Sequence, residues 1–119
     1  MKKLQFIFII LSALLILGCS TAYKSLTVTT PDLALVNDGV YKGHYNMSST
    51  PVKVTLNVTS LDHKISKIDI LDHTSSPIGK KAEKIIDTIL EKQSLEVDVI
   101  SGATVSSKAI LKAVENAFQ

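Results

Sequence analysis

Val52–Leu71 reads VKVTLNVTSLDHKISKIDIL, and the spacing of its apolar residues decides the fold. Val52, Val54, Leu56 and Val58 alternate with Lys53, Thr55 and Asn57, the period-two pattern of a strand that buries one face. Leu61–Lys64 turns the chain. Ile65, Ile68, Ile70 and Leu71 form the next strand, and the three-residue step from Ile65 to Ile68 fits a bulge. Together the two segments predict an antiparallel hairpin. Ahead of it, Asp38-Gly39 is a turn signal, and Val40–Tyr45, with Tyr41 and Tyr45 on either side of Gly43, predicts another short strand.

Downstream the period changes from two to that of a helix. Ser76-Pro77 reads as an N-cap with proline at the first helical position. Ile78, Ala82, Ile85, Ile86, Ile89 and Leu90 then recur at helical spacing, with lysines and acids on the other side, predicting an amphipathic helix to about Gln93. Leu95–Ile100 reads as a short strand. A second helix is expected from about Val105 to Phe118, with Ala109, Ile110, Ala113, Val114, Ala117 and Phe118 inward. The fold class is therefore α+β, a small antiparallel β-sheet packed with two main helices.

Before the domain the chain is of another kind. Lys2 and Lys3 precede Leu4–Leu17, LQFIFIILSALLIL, in which only Gln5 and Ser12 are polar, and Ile16-Leu17-Gly18-Cys19-Ser20 follows. The apolar stretch is about fourteen residues, short of the roughly 20 that span hydrocarbon as a helix. The pattern resembles a bacterial lipoprotein signal, whose small residue before a cysteine marks the cleavage site. That resemblance implies cleavage after Gly18 and a lipid on Cys19, where two or three acyl chains give a stable anchor. The other reading is an uncleaved apolar anchor. Both place the domain outside the cytoplasmic membrane, on its extracytoplasmic face. The organisation expected is a signal peptide over 1–18, a tether over 19–35 rich in serine and threonine, and one domain over 36–119.

Composition narrows the chemistry. The 119 residues hold 13 lysines, no arginine, 11 acids and one cysteine. From Cys19 onward the charges balance, so the basic footprint of a nucleic-acid binder is absent. One cysteine leaves no internal disulfide, zinc cluster or CxxCH haem site. His44, His63 and His73 show no metal-ligand spacing, and no metal is expected. No nucleophile, base and orienting group can be assembled, so hydrolysis has no support. Without arginine, any bound phosphate must meet backbone N–H groups, hydroxyls or lysine.

One segment suits that requirement. Asp98-Val99-Ile100-Ser101-Gly102-Ala103-Thr104-Val105-Ser106-Ser107 places small residues and four hydroxyls at a helix start, where free N–H groups and the helix dipole favour an anion. The same hydroxyls also serve as ordinary helix caps. Physical reasoning leaves both open.

The stretch Gly79–Phe118, GKKAEKIIDTILEKQSLEVDVISGATVSSKAILKAVENAF, resembles the FMN-binding domain family, which includes covalent-flavin subunits of sodium-pumping NADH:quinone reductase and of Rnf complexes. The likeness extends more weakly upstream through Asp38–Gly43 and the hairpin. Its specific element is Asp-x-x-Ser-Gly-Ala-Thr at Asp98–Thr104. The resemblance implies FMN joined to the Thr104 hydroxyl through a phosphoester, placed there by a flavin transferase that consumes FAD and releases AMP. It implies that Ser101, Gly102 and Ala103 complete the motif, that Asp98 helps the transferase recognise it, and that Ser106 and Ser107 contact the phosphate near Lys108. The family's His-x-Glu-Thr-Pro-Gly-x-Gly element is here His73-Thr74-Ser75-Ser76-Pro77-Ile78-Gly79, leaving His73 and Ser76 as candidates for the flavin ring. The glycine-tyrosine-glycine common after the first strand is replaced by NMSSTP at Asn46–Pro51.

The function expected is that of an electron carrier rather than an autonomous enzyme, lipid-anchored near a membrane donor such as a quinone-linked dehydrogenase. Two rivals stand beside it. One is a noncovalent FMN-binding sensor or regulatory lipoprotein, and the other a structural lipoprotein whose SGAT turn is only a cap.

Overall fold

The structure, a computed structural model, describes residues 26–48 and 50–119. Cys19 and the apolar leader lie outside the described residues. Three strands, β1 (Gly39–Asn46), β2 (Lys53–Leu61) and β3 (Lys64–Thr74), form an antiparallel sheet in the order β1-β2-β3. A 3-10 helix (Gly79–Lys84) leads directly into α1 (Ile85–Lys92), and α2 (Thr104–Ala117) closes the chain. This is the expected α+β arrangement.

The core lies between one sheet face and the helices. Val54, Leu56 and Val58 of β2 are fully buried, as are Ile85 and Ile89 of α1 and Ala109, Ile110, Ala113 and Val114 of α2. At Gly43, α2 comes so close to β1 that a Cβ would run into the Ala113 carbonyl. Glycine is therefore required there by contact with another backbone. Tyr41 packs its ring on Phe118 at a centroid distance of 5.3 Å and donates its hydroxyl to Asn37 O.

Two bulges shape β3. Between Thr59↔Lys67 and Ser60↔Ile65 the register slips by Ser66, the bulge expected from the Ile65 to Ile68 step. A second slip falls between Thr55↔Asp72 and Leu56↔Ile70, leaving Leu71 as the extra residue. Each insertion inverts the alternation beyond it. Leu71 is consequently exposed, and His73 turns to the buried face.

The remaining differences from expectation have identifiable causes. The helix expected from Ser76 begins at Gly79 and winds as a 3-10 helix first. That winding aligns positions three apart, so Gly79 and Ala82 are buried together against α2. Leu95–Ile100 is not a strand. Its backbone bonds go to side chains instead: Leu95 N–H donates to Thr30 Oγ1 at 3.0 Å and Ile100 N–H to Ser107 Oγ at 3.0 Å. Gln93, in the left-handed conformation at φ 52°, ends α1. Its side-chain amide then accepts from Ile65 N–H at 2.7 Å and donates to Ile65 O at 2.8 Å.

Residues 26–35, read above as tether, lie on the domain. Leu26, Val28 and Leu33 pack against the core, and Leu33–Leu35 forms a 3-10 turn capped by Asp32. Thr29 N–H donates to Glu115 Oε2 at 2.6 Å, while Lys112 Nζ donates to Glu115 Oε1 at 2.7 Å and to Thr27 O at 3.3 Å. Burial pushes the Glu115 carboxyl up, but the bonds from Lys112, Thr29 and Gln119 outweigh it and hold the group below its ordinary value. A depressed carboxylate stabilises the fold above its unfolded pKa, and that contribution is lost as pH falls through the folded one. Acidification below the ordinary carboxylate range should therefore loosen this strap. Glu115→Gln should do the same at neutral pH, read as faster hydrogen exchange at the Thr29 amide. Unchanged exchange in that variant would count against a holding role for Glu115.

Candidate functional site

A turn precedes α2, closed by Ala103 N–H donating to Ile100 O at 2.9 Å. Gly102 sits there at φ +77°, a conformation that side chains other than glycine strain to adopt. Ser107 fastens the turn from within the helix. Fully buried, its hydroxyl donates to Ala103 O at 2.7 Å and accepts from Ile100 N–H at 3.0 Å.

The N-cap of α2 is Ala103, and no side chain caps the helix. The first intrahelical bond is Ser107 N–H to Ala103 O at 2.9 Å. The amides of Thr104, Val105 and Ser106 thus form the uncapped, positive end of a helix of 14 residues. Serine and threonine near a helix start usually cap it. Here no side chain of the described residues does.

A cavity of about 480 Å³ opens at that end of the helix. Gly102, Ala103, Thr104, Val105 and Ser106 line one side. Ser75, Ser76 and Gly79 contribute a second wall, and Thr50, Pro51 and Val52 a third. Ser76 Oγ accepts from Gly79 N–H at 3.2 Å, which shapes the entry to the 3-10 helix. Ser75 Oγ and Ser106 Oγ share a hydrogen bond at 2.9 Å across 31 residues of chain. A Cβ on Gly79 would collide with both hydroxyl oxygens, so the pair exists only beside glycine.

Of the sequence candidates, Gly102, Ala103, Thr104, Ser106 and Ser76 come together in this cavity. Ser101 and Asp98 are exposed and lie outside its lining. Ser107, expected at the phosphate, spends its hydroxyl on the turn. His73, expected near a ring, is buried away from the cavity, because the Leu71 bulge aims it at the helices. There Nδ1 pairs with Glu83 Oε1 at 3.0 Å. Sequence reasoning missed Thr50, Ser75 and Val105. Each stands in a stretch already singled out: Thr50 in Asn46–Pro51, Ser75 beside Ser76, and Val105 between Thr104 and Ser106. Among the described residues no group of histidines, cysteines and acids could hold a metal, and no helix is long and apolar enough to cross a membrane.

Comparison with known families gives a match to the FMN-binding domain over residues 48–119. The chain belongs to the FMN-binding domain family. A NADH:acrylate oxidoreductase of Vibrio harveyi is 42% identical over 84 residues, covering 68% of this chain and 8% of that protein. An uncharacterized protein of Treponema pallidum (strain Nichols) is 35% identical over 92 residues, covering 72% of this chain and 24% of its own length. This FMN-binding domain thus spans a minor part of both relatives.

FMN fits the cavity chemically. The uncapped amides and the Ser106 hydroxyl are donors suited to a phosphate, and the site needs no arginine. Ala103, Val105, Pro51 and Val52 offer apolar surface for a ring, and the volume lies within the range of small-molecule sites, about 300–1,000 Å³. Ser107→Ala should lower stability by about 2 kcal/mol, since it removes one donor and strands the Ile100 amide. Ser101→Ala should be nearly neutral. Urea unfolding of both variants checks the contrast, and equal effects would deny Ser107 its role in the turn.

Proposed function

We infer that this domain carries electrons through FMN joined to Thr104 by a phosphoester. The observation that supports it most is the half-buried Thr104 at the first position of an uncapped helix, facing a cavity of about 480 Å³. Its hydroxyl belongs to the same cavity as the Ser106 hydroxyl and adjoins amides free to bind phosphate oxygens. Gly102, two residues before it, has open space where a Cβ would stand. In the attachment, the Thr104 oxygen forms a bond to the FMN phosphorus of FAD, and the pyrophosphate bond to AMP breaks. The hydroxyl proton is lost and AMP departs, with no change of oxidation state. A flavin transferase brings FAD to the site, with exposed Asp98 and Ser101 as the surface it reads.

Bound FMN supplies the redox chemistry, and the protein supplies attachment, orientation and tuning. Thr104 holds the phosphate end. Ser76 and the paired Ser75 and Ser106 would supply polar contacts to the cofactor, and Ala103, Val105, Pro51 and Val52 would supply apolar surface for its ring. The relative in Vibrio harveyi is an oxidoreductase by name. A matching segment inside a larger redox protein is what a carrier domain would look like.

The lipid on Cys19, the extracytoplasmic location at the cell membrane and a membrane donor such as a quinone-linked dehydrogenase rest on the sequence pattern. Covalent attachment suits that location, where a dissociated cofactor would be lost by diffusion.

Thr104→Val removes the hydroxyl while nearly preserving volume. The full chain, coexpressed with a flavin transferase and then denatured, should show in-gel flavin fluorescence and a mass increment of one FMN. Thr104→Val should fold and show neither. Flavin kept on the variant would move the attachment to another hydroxyl, and an unmodified native chain would remove the covalent reading. Separately, Cys19→Ala should release or misprocess the protein, read as loss from the membrane fraction or as a chain that keeps its leader, without changing flavin attachment.

A further inference from the structure

Three walls meet at the cavity, and one of them has so far supplied only apolar surface. That wall comes from Thr50, Pro51 and Val52, between β1 and β2. Thr50 is half-buried, and its Oγ1 is shut off from solvent without a hydrogen-bond partner among the described residues. Hydroxyls in that state destabilise a fold until an acceptor reaches them. Ser60 Oγ and His73 Nε2 are unpartnered as well, yet neither residue lines the cavity. Thr50 alone of these three combines an unmet hydroxyl with a place at the site.

The neighbours of Thr50 indicate which part of a ligand it meets. Pro51 and Val52 present apolar surface, where a phosphate would lose hydration with little in return. The phosphate is served by the α2 amides and Ser106. A flat heteroaromatic ring with carbonyl oxygens and ring nitrogens along one edge suits both the apolar wall and the single donor.

We propose that Thr50 is a cofactor-binding residue, its hydroxyl donating a hydrogen bond to a carbonyl oxygen on the edge of the flavin's isoalloxazine ring. The inference rests on the flavin reading given above. Oγ1 is shut off from solvent, so meeting an acceptor in the cavity takes rotation about Cα–Cβ to another staggered position. No existing hydrogen bond has to break. Electron density on such an oxygen is greater after reduction, so a donor there stabilises the reduced ring more than the oxidised one and raises its potential.

The test uses the full chain coexpressed with a flavin transferase, as native protein, Thr50→Val and Thr50→Ser. Both variants should acquire FMN as fully as the native chain, by intact mass. In Thr50→Val the visible flavin absorption bands should shift and the midpoint potential become more negative, with the equilibrium constant for reduction falling about two- to fivefold, because the bond's worth, about 1 kcal/mol, counts only by its difference between the two redox states. Thr50→Ser, which keeps the hydroxyl, should restore both readings. Without flavin, Thr50→Val should melt at or above the native temperature, because it removes an unmet hydroxyl. A lower melting temperature would make the hydroxyl structural and overturn the proposal. So would a loaded Thr50→Val whose spectrum and potential match the native protein, with the flavin reading left intact. A native chain that takes up no FMN would overturn both together.

Discussion

The approach of α2 to β1 at Gly43 sets the spacing on which the rest of the molecule depends. With no side chain there, the Ala113 carbonyl lies directly over the strand. Ala109, Ala113 and Ala117 keep that face of the helix thin, while Ile110 and Val114 fill the space toward β2. At the other end of α2, Gly79 plays the corresponding part, leaving room for Ser75 to reach Ser106. Two glycines on different elements thus fix both ends of one helix. The cavity is the space that remains at its N-terminal end, and its walls are held by these contacts.

Local periodicity carried most of the fold. β2 and the first part of β3 alternate as their residues imply, and α2 buries the alanines and branched residues that recur at helical spacing. Period-two counting fails where an extra residue enters the ladder. The step at Ile65–Ile68 betrays one bulge, but nothing in Ile70-Leu71-Asp72-His73 betrays the second, since an apolar Leu71 fits either face. That single insertion moved His73 from a presumed ring contact to a buried pairing with Glu83. Leu95–Ile100 shows the opposite error, an alternating segment that has no strand beside it to pair with. Its partners, Thr30 and Ser107, are hydroxyls whose positions only the folded chain defines.

The candidate site was legible where it is continuous in sequence and obscure where it is assembled. Gly102–Ser106 stands out as small residues before a helix. Which hydroxyls face outward does not, because Ser106 and Ser107 are neighbours of the same chemistry on different sides of the helix. One lines the cavity and the other is locked into the turn. Thr50 and Ser75 are joined to the motif only through tertiary contacts, and no local pattern ties them to it. Likewise, the serine- and threonine-rich composition of residues 26–35 suggested a free tether, although Thr29 and Thr30 supply the bonds that fasten it.

That fastening determines how the molecule can be held. The strap is secured at Lys112 and Glu115, in the C-terminal half of a helix whose 14 residues extend about 21 Å. The cavity lies at the N-terminal tip. Pulling on the chain ahead of Leu26 therefore loads the end of the domain remote from the mouth of the cavity. Handle and business end are separated along one rigid rod, so whatever restrains the first leaves the second turned outward and open to visitors.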